Sequence, residues 1–183
     1  SPVIFRVFNV SGNTYLLGVN GQDTPRAWDT SPVSNLFTLF GGSAPRADTI
    51  AIAADHVLLG SLPPPGLSTI EVSAFQDHTS GWWSTQTAVL IETQGVIVAM
   101  MELGLNQVAI YKEDSIYLAT GTTGIAPFRF DVHTDKVPGP ISQKGVVPLN
   151  SGNHAVLTIG GELYLFNGSS YSQHPASHQV RTL

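Results

Sequence analysis

Apolar residues in this chain fall in short bursts rich in β-branched and aromatic members, divided by Gly, Pro, Asn and Asp, with almost no stretch of 3.6-residue spacing. That pattern predicts many short antiparallel strands and little or no helix. The clearest hairpin runs from His154 to Phe166, with strands at Ala155 to Ile159 and Glu162 to Phe166 around the pair Gly160-Gly161. Two glycines accept the positive φ angles of a two-residue I′ turn, so turn chemistry and flanking pattern agree. Asn167-Gly168 then predicts a second tight turn. Upstream, a similar unit reads strand Gln107 to Tyr111, turn Lys112-Glu113-Asp114, strand Ser115 to Ala119.

The same apolar phrase recurs: Tyr15-Leu16-Leu17-Gly18, Val57-Leu58-Leu59-Gly60, Ile116-Tyr117-Leu118 and Leu163-Tyr164-Leu165. Taking Leu17, Leu59, Leu118 and Leu165 as markers, the intervals are 42, 59 and 47. Two of them match the roughly 40 to 50 residues of a propeller blade. The longer one holds Pro63-Pro64-Pro65-Gly66 and Trp82-Trp83 and reads as carrying an insertion. The expected fold is all-β, a small or partial β-propeller-like array in one domain. Its four blade-like units lie at approximately 1–45, 46–86, 87–136 and 137–172, followed by a flexible tail, 173–183. A blade cannot bury both faces of its own sheet, so an incomplete array predicts a homo-oligomer.

Composition narrows the partners. Eight Lys and Arg against thirteen Asp and Glu give a net charge of -5. Such a chain lacks the positive field that holds nucleic-acid phosphates, and no direct nucleic-acid contact is expected. Charged residues make up only 11%, well under the roughly 25% of an ordinary soluble domain, which suits a surface packed against neighbours. The absence of cysteine removes disulfides and thiolate chemistry. No apolar run approaches the ~20 residues of a membrane helix, and the N-terminus lacks the basic and apolar regions of a signal peptide, so a soluble chain is expected.

From Thr69 to Ser170 the order of segments resembles the β-propeller-containing virion structural proteins of tailed bacteriophages, some of which form tail nozzles. The resemblance rests on Ile70-Glu71-Val72-Ser73, Asp77-His78 with Trp82, and Gln94 to Ala99. It continues through Val108 to Tyr117, Phe128-Arg129-Phe130, Ser142 to Val147 and Leu163 to Ser170. These are packing and turn motifs. They imply a fold and a location in the virion, with other virion proteins as partners, and no functional residue carries over.

No constellation of catalytic residues stands out. There is no Gly-x-Ser-x-Gly elbow and no His-Glu-x-x-His, and Gly121-Thr122-Thr123-Gly124 lacks the lysine of a phosphate loop. A non-enzyme without a cofactor is expected. Three weaker features remain as candidates. Asp131, His133 and Asp135 alternate, and on a regular strand would share one face and could converge on a cation. Trp82 and Trp83 are neighbours, so on a strand one ring faces the core and the other the surface, where it could stack on a host glycan or dock a receptor. Glu71, Asp77, Glu92 and Glu102 would have to form a facing pair for glycoside hydrolysis. The leading expectation is a tail-associated virion subunit making protein–protein contacts in a symmetric assembly. A carbohydrate- or receptor-binding β module is the alternative, and a propeller-type hydrolase comes after it.

Overall fold

The β1–β2 hairpin sets the local rule. β1 (Ile4–Val10) and β2 (Asn13–Val19) pair antiparallel from Ile4–Val19 down to Val10–Asn13. Between them only Ser11 and Gly12 remain, both at positive φ, the geometry of a two-residue turn whose twist matches that of the strands. β3 (Arg26–Trp28) and β4 (Thr38–Leu39) complete a four-stranded meander. The computed structural model of the chain describes residues 3–30, 38–39, 44–78, 86–149 and 152–177.

Three further meanders follow. The second joins β5 (Thr49–Ala53), β6 (His56–Gly60), β7 (Thr69–Val72) and β8 (Gln86–Val89). The third joins β9 (Ile97–Gly104), β10 (Gln107–Lys112), β11 (Ser115–Gly121) and β12 (Phe128–Asp135). The fourth joins β13 (Val146–Pro148), β14 (His154–Leu157), β15 (Leu163–Phe166) and β16 (Tyr171–Gln173). The molecule is therefore an all-β array of four blade-like antiparallel units, as the strand pattern predicts.

The first strands begin at residues 4, 49, 97 and 146, in nearly even steps. The apolar marker phrase gives uneven ones because it lies on the second strand of sheets one and two but on the third strand of sheets three and four. The 59-residue interval thus contains a change of strand. β8 belongs to the second sheet, so the junction between the second and third units falls after Val89, later than residue 86.

Sheets stack face to face through three apolar cores. Phe8, Leu17, Val19 and Ala27 of the first meet Ile50, Val57 and Leu59 of the second. Ala51, Leu58, Ile70 and Val72 meet Val108, Ile110, Tyr117 and Phe128 of the third. Ala99, Ala109, Tyr111 and Ile116 meet Val146, Val156 and Phe166 of the fourth. Each burial removes apolar area worth about 25 cal/mol per Å². Among the described residues no such core joins the fourth sheet to the first.

Two turns differ from sequence expectation. In the fourth sheet Thr158 N donates to Glu162 O and Gly161 N donates back to Thr158 O. The loop is therefore the three residues Ile159-Gly160-Gly161, with Gly161 at φ 74°, a type I turn closed by a bulge, in place of the two-residue turn. At the C-terminus, residues 173–177 are docked. His174 N donates to Leu163 O, and buried Ser177 accepts from Leu163 N through its hydroxyl. The Asn167-Gly168 turn forms as read, with Asn167 Oδ1 accepting from the amides of Ser169 and Ser170.

Candidate functional site

The inner strand of a blade leaves one row of backbone groups without a strand partner, and those groups must be satisfied in another way. Here side chains do it. The Gln143 amide, on the 3-10 turn Gln143–Gly145 ahead of β13, accepts from Met100 N at 2.8 Å and donates to Met100 O at 2.9 Å. Glu102 Oε1 accepts from Ile52 N at 2.9 Å and from Arg6 Nε at 3.0 Å. The His154 ring contacts Glu102 O at 2.9 Å through Nε2 and the Tyr111 hydroxyl at 2.7 Å through Nδ1. Arg6, Ile52, Glu102 and His154 come from β1, β5, β9 and β14, so residues of all four sheets converge on Glu102.

This axial cluster is polar but already satisfied. The two His154 contacts are mutually consistent with a single tautomer: Nε2–H donates to the carbonyl and Nδ1 accepts from the Tyr111 O–H. Burial pushes the His154 pKa below its ordinary value, although the Glu102 carbonyl and carboxylate pull the other way. Burial also pushes the Tyr111 hydroxyl far above its usual range, so the phenol stays protonated and donates. Arg6, Glu102, Ala54 and Asp55 line a cleft of about 410 Å³.

The features singled out in the sequence are placed as follows. A bulge in the pairing of β11 with β12 lets Ile116 meet Thr134 and Tyr117 meet Val132, which leaves His133 without a cross-strand partner. The alternation breaks there. Asp131 faces with Leu118 and Asp135 with Ser115, on opposite faces of the sheet. His133 turns its ring edge-on to Phe166 at 5.3 Å, and Asp131 binds Arg129 at 2.6 Å. Among the described residues no group of three or more His, Asp or Glu side chains is gathered as for a metal ion. Trp82 and Trp83 lie outside the described residues.

Of the four carboxylates considered for hydrolysis, Glu71 and Glu102 are engaged with different partners. Glu71 accepts from the Thr87 hydroxyl and burial raises its pKa. Glu92 is exposed, and Glu102 holds Arg6.

What sequence reading missed is the pair of end faces. On the outer side of the first sheet, Val3, Phe5 and Val7 are 47%, 45% and 58% exposed. On the outer side of the fourth, Val147 is 51% exposed, beside half-buried Ala155, Leu157, Leu163 and Leu165. Alternation in β1 is the signal that could have found the first: both parities are apolar, as for a strand covered on two sides.

No family model matches the chain, and no curated protein matches it. Among solved structures the chain is similar to the crystal structure of HIRA(644-1017), at 12% identity and a TM-score of 0.45. That alignment covers 94% of this chain and 53% of the other, so the chain spans about half the length of that structure. No described helix is long and apolar enough to cross a membrane.

Proposed function

We propose that this chain is a non-catalytic structural subunit of a tailed-bacteriophage virion, associated with the tail and working through protein–protein contacts in a symmetric assembly. The observation that carries the assembly role is the pair of apolar end faces on a chain with only 11% charged residues. Contiguous exposed apolar surface on a folded protein marks a surface made to be covered. The virion location rests on the resemblance of Thr69 to Ser170 to phage propeller proteins. The axial cluster fits a structural part, since its hydrogen-bonding groups close on one another and hold the sheets in register.

Electron microscopy of purified phage particles labelled with an antibody against this chain tests the reading. Label at the tail is the expected result. Particles that carry none, while the chain is free in the same lysate, overturn it.

A further inference from the structure

We propose that two copies of this chain bind head to tail, the outer face of the fourth sheet of one copy packing on the outer face of the first sheet of the next. The three internal cores are all built one way. The trailing face of one sheet meets the leading face of the next: Phe8 and Leu17 against Ile50 and Leu59, Leu58 and Val72 against Val108 and Ile110, Ala109 and Tyr111 against Val146 and Val156. Continuing that series leaves one leading face at the start, with Val3, Val7 and Leu16, and one trailing face at the end, with Val147, Ala155, Leu157 and Leu165.

Each carries an apolar set that register places on a single face, with Asn9, Thr14 and Arg26 beside it on the leading one. Val7 lies opposite Leu16, Val147 opposite Ala155, and Ala155 opposite Leu165. The leading face is also contoured, because Val3 and the Phe5 ring lie over Gly18, where an added Cβ would come within 2.9 Å of the ring. A second copy is the occupant that supplies both missing partners at once, by the same face-to-face packing the chain already uses three times. The interface is heterologous, so it generates a ring where the rotation closes and a filament where it does not.

The inference does not depend on the virion role: a chain that self-associates in this way but is absent from phage particles keeps the one and loses the other.

Native mass by light scattering on the full chain tests it, with Val7→Glu and Val147→Glu as variants and Ile125→Glu, in a fully exposed loop, as control. The wild type and the control are expected at a multiple of the chain mass. Each interface variant alone is expected to be monomeric, because every copy has lost the same half of the contact. Mixing the two variants restores one intact pair of faces and doubles the mass. Circular dichroism checks folding, and Val3→Glu and Ala155→Lys replace a variant that does not fold. A monomeric wild type overturns the proposal. So does a result in which only one of the two variants loses assembly, the mark of like faces pairing, or a mixture that stays monomeric.

Discussion

His154 has both ring nitrogens engaged, one by the Tyr111 hydroxyl and one by the Glu102 carbonyl, and a second proton would have to displace one of them. Burial holds the folded pKa below the ordinary 6.5, against the pull of the Glu102 carbonyl and carboxylate. Buried His78, whose ring lies 4.4 Å from that of Tyr15, is shifted the same way, mainly by burial and against the pull of Asp77. The sign follows from linkage. Above 6.5 both rings are neutral, folded or unfolded, and their contribution is fully present; below it the unfolded chain takes up protons the fold refuses, and stability falls until the lowered pKa is passed. Melting is expected at a lower temperature near pH ~5 than near pH ~7.5, and His154→Gln should shrink that difference while leaving the part due to His78. Gln143 makes a different kind of test. Gln143→Leu keeps the bulk but strips Met100 N and O of their amide partner, and loss of a buried hydrogen bond costs about 1 to 3 kcal/mol per group. A drop in urea midpoint with unchanged slope is the expected reading.

Where a strand ends is decided by local chemistry, and there the sequence is informative. The β10–β11 and β14–β15 hairpins form where the apolar runs and turn residues place them, because a hairpin turn is specified within a few residues. Turn type was less legible: Gly160-Gly161 allows a two-residue turn, but the pairing of Thr158 with Glu162 makes the loop one residue longer. The repeated phrase marks a buried central strand, and nothing in a Leu-rich triplet says whether that strand is second or third in its sheet. The bulge at His133 is likewise silent, since its sequence reads as unbroken alternation. Gly139 shows how a single residue seats an element. Its amide donates to Glu113 O at 2.9 Å, and an added Cβ would stand 2.8 Å from that same oxygen and closer still to Lys112 O. Backbone lies on that side, so it cannot swing away. Gly139→Ala is expected to destabilise by about 2 kcal/mol or more, against about 1 kcal/mol for Gly12→Ala, where an added Cβ has nothing within 4 Å and meets only the cost of a left-handed backbone. Chemical denaturation of the two variants side by side checks the order.

The described residues form four sheets, three cores and one polar hub, with exposed apolar side chains on the outer faces of the first and fourth sheets. Glu102 ties the first three sheets through Arg6 and Ile52, so Glu102→Ala should lower the melting temperature more than Glu102→Gln, which keeps an acceptor for the Ile52 amide. The all-β class was legible from strand spacing; the position of the exposed apolar faces was not, because it depends on which sheets pack on which. If those faces are filled by further copies, stability cannot be a property of one chain alone. Binding that favours the folded state adds a term that grows with the logarithm of free partner concentration. The wild-type melting temperature should therefore rise with protein concentration, while that of Val7→Glu stays flat and meets the wild-type value at high dilution. A wild-type value independent of concentration would instead mean that the end faces stay open to water and that the three internal cores alone hold the fold.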